Sequence, residues 1–297
     1  MSANQALLTE RKLPSASDLF LIVNNSLTPM PWKQWAADII EQGYAIITIS
    51  PTMMADFKSM QDEIKNVSAT DRKTFSFVDR TDGFYPVGYS YLETVVNSDL
   101  CETFNYWGKY KSDHTLWEFS KSEFYTRAER YESHAEKYGQ GILDAIREYY
   151  GYSTHLPIKN DSYLQFNHYR EDLRLQGDKY LQRKHEDGHL LTIIKPNGPG
   201  LVVYKNDQEC LVELGRDQAI VIPGSLLTRL TEGEVDPMYH AVINFTLPAS
   251  RCSIVYNINI LSRTLPGMRT GADVDIYEPA NMQHMQFGHN PLFVPMS

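Results

Sequence analysis

Along this chain the spacing of apolar positions changes near residue 150, from a helical period to short β-type runs. In PWKQWAADIIEQG, Trp32, Trp35, Ala36, Ile39 and Ile40 fall on one helical stripe, with Pro31 near its start and Gly43 at its end. The pattern predicts a helix over 31–43. Tyr44 to Ile49 (YAIITI) is a β-branched run bounded by Gly43 and Pro51, the signature of a buried strand. Residues 51–66 and 98–109 read as helices, and 118–150 as one long helix or two shorter ones, with Leu143, Ile146 and Tyr150 on one face. After Gly151 come YLQFNHY, LLTII, GLVVY, CLVEL, QAIVI, HAVINFTL and CSIVYNI, punctuated by Pro, Gly, Asn and Asp. Such recurrence is the pattern of an antiparallel sandwich, barrel or jelly roll. No internal repeat or low-complexity linker separates the halves. One domain over 1–297 is therefore expected, with a mainly helical front (1–150), a β core (151–265) and a tail (266–297) running over the surface.

Composition narrows the class further. The chain is 42% apolar and 22% charged, ordinary for a folded soluble protein. No run approaches the roughly 18 apolar residues of a membrane-spanning helix. Asp plus Glu outnumber Lys plus Arg by 37 to 28, a formal charge of −9. A chain this acidic is a poor partner for phosphate backbones, so neither a nucleic acid nor a membrane is expected as partner. Cys101, Cys210 and Cys252 are too few and too far apart for a disulfide framework or a Cys-rich zinc site. The opening segment, MSANQALLTERKLPSASD, lacks the basic start and apolar run of a secretory signal. The expectation is a cytoplasmic protein, monomeric or a weak homo-oligomer, that acts on a small molecule.

Histidine carries the chemistry. Of the nine, His114, His134, His155, His284 and His289 have no suggestive neighbours and read as surface or satisfied core residues. The segment NMQHMQFGHN reads as tail packing rather than a second metal site. RKHEDGHLLTII holds two competing metal signatures. His185-Glu186-Asp187-Gly188-His189 satisfies the zinc-peptidase spacing H-E-x-x-H, which works only on a helix, where the two histidines share a face and Glu186 would be the base. Gly188 would then weaken that helix by about 1 kcal/mol, and LLTII after it looks like a strand. The second signature is His185-x-Asp187. In extended chain, positions i and i+2 point to one side, so imidazole and carboxylate would project together. His240, in the strand-like MYHAVINF, would complete a two-histidine, one-carboxylate triad, which holds non-haem Fe(II) on one face and leaves the other open.

A further pair lies just beyond His240. In SRCSIVYNI, Arg251 and Ser253 would share a strand face, with Cys252 turned away. A guanidinium fork helped by a hydroxyl is suited to anchoring a carboxylate. An ion pair with a coincidental serine is the plainer reading of the two residues alone.

The ordered set, H-x-D, then His240, then R-x-S, resembles the 2-oxoglutarate/Fe(II)-dependent oxygenases, and within them the isopenicillin N synthase-like branch. FNHYRE (Phe166 to Glu171) is similar to that branch's N-x-Y strand, and GLVVYKNDQECLVEL and QAIVIPGSLLTRLTEGEV to the hairpin and turn before the second histidine. EQGYAIITIS resembles an early strand, and GYSYLE a segment lining the substrate mouth. The resemblance implies a double-stranded β-helix, a mainly β α+β fold with N-terminal helices packed on it. It implies a dioxygenase with Fe(II) on His185, Asp187 and His240. It places the distal carboxylate of 2-oxoglutarate on Arg251 and Ser253, with Tyr169 and Asn167 positioning it, and O2 as second co-substrate. Tyr89 and Tyr91 become candidate substrate-lining residues.

The implied reaction is hydroxylation, desaturation or cyclisation of a small soluble molecule, amino-acid-like or a natural-product precursor. Three departures stand out: Tyr169 is followed by Arg170-Glu171 in place of two prolines, Gly188 stands where a bulky residue is common, and Ala241 where arginine is frequent. Alternatives remain open at this point. One is an iron oxidase of the same branch that does not use 2-oxoglutarate. The others are the zinc peptidase on His185, Glu186 and His189, and a jelly-roll binding protein without catalysis.

Overall fold

A computed structural model describes residues 30–77, 79–88, 99–174, 179–244, 250–286 and 289–292. The helix expected over 31–43 runs Trp32–Gln42 and stops where Gly43 takes φ 82°, a left-handed conformation cheap only for glycine. Its apolar stripe is buried through Trp35, Ala36 and Ile39. Trp32 and Trp35 pack on Tyr138 with ring centroids 5.7 and 6.1 Å away. The next helix, Pro51–Glu63, starts with Ser50 accepting from the Met53 amide, Pro51 filling a first-turn position, and buries Met53, Phe57 and Met60. Helix Glu123–Tyr149 is likewise capped by Ser122, and buries Ala128, Ala135, Ile142, Leu143 and Ile146. Leu143 and Ile146 are fully buried, as their shared face predicts. These three helices back a sheet and leave its other face to form the site.

The strands are β1 (Ala45–Thr48), β2 (Ser76–Phe77), β3 (Asp82–Tyr85), β4 (Glu102–Tyr106), β5 (Tyr163–Tyr169), β6 (Tyr180–His185), β7 (Leu191–Pro196), β8 (Leu201–Lys205), β9 (Gln208–Leu211), β10 (Gln218–Pro223), β11 (His240–Ile243), β12 (Arg251–Ile258), β13 (Thr264–Pro266) and β14 (Asp273–Asp275). Eight form one sheet in the order β1-β10-β7-β12-β5-β4-β3-β2, and four form a second in the order β6-β11-β8-β9. Every pairing between described strands of the two sheets' ladders is antiparallel. The chain alternates between the sheets: β6 in the small, β7 in the large, β8 in the small, β10 in the large, β11 in the small, β12 in the large. That crossing makes a double-stranded β-helix. Ile194, Ile220 and Ile222 of the large sheet meet Leu201 and Val203 of the small one in a single apolar cluster. This plug fills the space between the sheets, while Cys101, Tyr169, Leu181 and Val242 form a smaller cluster elsewhere.

Two expectations are corrected. Residues 98–109 contain strand β4 rather than a helix. Its run Thr103–Tyr106 is buried throughout, and it is hydrogen-bonded on both edges, by β3 and β5. With both faces covered the run shows no alternation, and periodicity cannot tell it from buried helix. The tail is also not a surface strap. Helix Tyr277–Gln286 buries Ala280, Asn281 and His284, so the tail packs into the molecule.

Candidate metal centre

Strand register brings the two expected ligand histidines together. His240 opens β11 and is paired directly across the ladder with His185, the last residue of β6. Their ring centroids lie 4.2 Å apart. Asp187 follows in the turn out of β6. His185 Nε2 is 3.8 Å from Asp187 Oδ1, and His240 Nε2 is 3.9 Å from Asp187 Oδ2. One ligand atom from each of the three lies within 4.8 Å of the others, the one such group found among the described residues. The opposite ring nitrogens are committed to the backbone: His185 Nδ1 donates to the Arg183 carbonyl at 2.6 Å and His240 Nδ1 to the Met238 carbonyl at 3.3 Å. These bonds fix the tautomer that presents an Nε2 lone pair toward Asp187.

Electrostatics favour the metal-binding protonation states. Burial pushes the His185 imidazole down, assisted by His240, so it is neutral at pH 7. Burial opposes ionisation of Asp187, but His240, His185 and His189 outweigh it and hold the carboxyl below its ordinary range. Asp187 Oδ2 is buried and meets no hydrogen-bond donor at full bonding geometry among the described residues, the Thr192 hydroxyl acting on the carboxyl from nearby. A buried oxygen without a donor costs about 1–3 kcal/mol, a deficit that a cation among these three ligands would remove.

The turn is held from behind. The Ser225 amide donates to the Asp187 carbonyl at 3.0 Å, and the Gly224 amide to the Leu190 carbonyl at 3.2 Å. A Cβ on Gly224 would lie 2.3 Å from the His189 carbonyl oxygen and 2.4 Å from that of Asp187, so only glycine permits this approach. The zinc-peptidase reading fails here. Residues 186–189 form no helix. His189 turns instead to Asn259, its Nδ1 3.1 Å from Oδ1, and Glu186 accepts from Gln283 Nε2 at 2.8 Å.

The other expected residues also share a register. On the β12–β5 ladder Arg251 stands opposite Tyr169 and Ser253 opposite Asn167. All four are at most 2% exposed. Arg251 Nε donates to the Pro199 carbonyl at 3.1 Å, and its guanidinium carbon sits 4.7 Å from the Tyr169 ring centroid. Among the described residues Arg251 Nη1 is buried with no partner, and no carboxylate forms an ion pair with the guanidinium. Burial pushes its pKa down, with Tyr169 acting against the fall. The Tyr169 hydroxyl donates to Gln182 Oε1, and Gln182 Nε2 donates to Asp99 Oδ2 at 2.8 Å.

A cavity beside the metal group is lined by Asn167, Asn257 and Asp99, and by His189, His284 and His289. The sequence reading missed Asp99 and Gln182, and took His284 and His289 for residues without consequence. Their proximity in NMQHMQFGHN was the available signal. Tyr89 and Tyr91 lie outside the described residues. A wider cleft, between helix Pro51–Glu63 and the segment 211–217, gathers no metal-ligating set.

No family model matches the sequence, and no curated protein sequence matches it. Solved structures do. A full-length Neurospora crassa protein in complex with alpha-KG and thymine superposes with a TM-score of 0.68 at 14% identity, over 86% of this chain and 90% of that one. The dioxygenase for auxin oxidation of rice gives 0.68 at 12% identity, over 88% and 91%. JOX2, in complex with 2OG, Fe and JA, gives 0.60 at 19% identity, over 89% and 78%. The chain therefore shares the double-stranded β-helix fold of these solved structures.

Proposed function

We propose that this chain is a non-haem Fe(II) oxygenase that uses O2 and 2-oxoglutarate to oxidise a small molecule. The observation that carries the reading is Arg251. A guanidinium buried without a carboxylate is expensive to keep, and it makes sense where a carboxylate arrives as ligand. In the same barrel stands a histidine–aspartate–histidine group whose buried Asp187 Oδ2 makes no full hydrogen bond among the described residues.

In this reading His185, Asp187 and His240 hold iron on one face. Arg251 and Ser253 take the distal carboxylate of 2-oxoglutarate, and Tyr169, across the ladder, keeps the guanidinium in place. Asn167, held by Gln165 Nε2 at 2.8 Å, presents its amide to the cavity. Loaded with both co-substrates, such a site supplies oxidation of a C–H bond coupled to decarboxylation of 2-oxoglutarate to succinate. Burial of the anchors excludes water from the co-substrate end. The Neurospora protein holds thymine, the rice dioxygenase oxidises auxin and JOX2 holds JA, which supports a small-molecule substrate here, amino-acid-like or a natural-product precursor. Hydroxylation is the default outcome. The free thiols of Cys101, Cys210 and Cys252 support a cytoplasmic setting.

Anaerobic mixing with Fe(II) and 2-oxoglutarate tests the reading. A weak visible charge-transfer band is expected. Iron binding without the band would favour an oxidase that uses Arg251 to hold its substrate.

A further inference from the structure

Two of the described residues lining the cavity beside His185 and His240 carry carboxylates, Asp187 and Asp99. Asp187 belongs to the metal group, and nothing above employs Asp99. It lies just before β4, is 7% exposed, and forms no ion pair among the described residues. Gln182 Nε2 donates to its Oδ2 at 2.8 Å. The orientation of that amide is fixed, because Gln182 Oε1 takes the Tyr169 hydroxyl. Asp99 therefore meets Gln182 as an acceptor. Its Oδ1 is buried and has no hydrogen-bond partner among the described residues. One half of a buried carboxylate is thus satisfied and the other half is left without a donor, in a residue that lines the cavity.

The charges around it make this asymmetry informative. Arg251 is the fixed cation nearby, and the reading above commits it to the co-substrate. Iron with Asp187 carries one net positive charge, and 2-oxoglutarate with Arg251 one net negative charge. Asp99 is a further carboxylate beyond those four groups, and no ion pair engages it among the described residues. Burial pushes Asp99 up to about 6, which leaves it mostly ionised at neutral pH. An ionised buried carboxylate calls for a cation with N–H donors.

We infer that Asp99 anchors a protonated nitrogen of the prime substrate, so that the substrate class is small amines, amino-acid-like molecules included. The inference rests on the iron and 2-oxoglutarate reading. Gln182 acts as the positioning residue: it holds one carboxylate oxygen and leaves the other for the substrate nitrogen.

The test compares matched probes on protein loaded anaerobically with Fe(II) and 2-oxoglutarate. Butylamine and benzylamine are titrated against butanol and benzyl alcohol by calorimetry, with the charge-transfer band as second readout. The amines should bind at least about tenfold tighter than the alcohols, the value of one charged hydrogen bond. Asp99→Asn should bring the amines down to the alcohols while the band and the affinity for 2-oxoglutarate stay unchanged. Equal binding of amine and alcohol, or amine binding that survives Asp99→Asn, overturns the inference. So does loss of 2-oxoglutarate affinity in Asp99→Asn, which would move Asp99 to the co-substrate end. Should Asp99→Asn fail to fold, the amine–alcohol ratio of the native chain decides alone. A native chain that gives no band fails the parent reading instead, and the two failures are distinct.

Discussion

Arg251→Lys isolates the geometry of the guanidinium from its charge. The side chain is 1% exposed, and its Nη1 has no partner among the described residues. Lysine keeps the cation but loses the bidentate fork. A ligand present at a hundred times its dissociation constant stabilises a fold by about 2.7 kcal/mol. Unfolding entropy of about 2.1 cal/mol/K per residue, over 297 residues, converts this to a rise in melting temperature of about 4 °C. Losing the fork is expected to cost at least about 1.4 kcal/mol, a tenfold loss of affinity. At the same 2-oxoglutarate concentration the rise should then shrink to about 2 °C, and the KM for 2-oxoglutarate should climb at least tenfold. Iron content should not change, because Arg251 touches none of the three ligands. Thermal melts of the iron-loaded protein, with and without 2-oxoglutarate under nitrogen, measure the difference directly. A full rise in Arg251→Lys would refute the anchor. So would a loss of affinity confined to the prime substrate, which would assign Arg251 to that molecule.

Three other perturbations probe the rest of the frame. His185→Ala, Asp187→Ala and His240→Ala should each lose iron by elemental analysis and lose activity, while His189→Ala, whose ring is turned to Asn259, should keep both; the reverse pattern for His189 and Asp187 would break the triad. Burial lifts the Glu132 carboxyl from 4.5 to about 8. A carboxyl raised in the fold keeps its full stability below its unfolded pKa and loses it as pH climbs from 4.5 toward 8. Glu132→Gln should therefore gain melting temperature relative to the native chain between pH 5 and pH 8, and a pH-independent gap would contradict the burial argument. Gly224→Ala must push the Asp187 and His189 carbonyls away from a Cβ that would sit 2.4 and 2.3 Å from them. About tenfold weaker iron binding and a lower melting temperature are expected, and no change in either would show that the turn yields freely.

The legible part of this protein was the part fixed by short-range pattern. His185 and Asp187 stand two apart at a strand end, so local geometry alone puts their side chains together. Arg251 and Ser253 alternate on β12 in the same way. The closing contacts were not readable from spacing. That His240 pairs with His185, and Arg251 with Tyr169, is a matter of ladder register set by the whole barrel. The order of the motifs supplied them through resemblance. Strand β4 was hidden for a physical reason: buried on both faces, it carries no alternation. Asp99 and Gln182 were invisible because each is ordinary in sequence. Gln182 lies beside a register shift in the β6–β11 ladder, and Asp99 arrives from a distant strand end.

The departure at Gly188 and the unexpected burial of the tail are one structural fact. A Cβ on Gly188 would lie 2.1 Å from Gln283 Cγ and 2.5 Å from Gln283 Cβ. The space that a bulky residue after H-x-D would fill is taken by a side chain of helix Tyr277–Gln286. Gln283 then bonds Glu186, the residue between the two metal-ligand candidates of the turn. One turn position is given up to glycine, and in exchange helix Tyr277–Gln286 is seated on the turn that carries His185 and Asp187. That seating carries His284 into the cavity wall, where the Tyr163 hydroxyl lies 3.4 Å from its Nε2, and sets His289 beside it with ring centroids 4.9 Å apart. The contact spans 97 positions of chain between Glu186 and Gln283. The cavity wall beside the candidate ligands is thus built by a distant segment, joined to their turn at Gly188, which lets the helix come close.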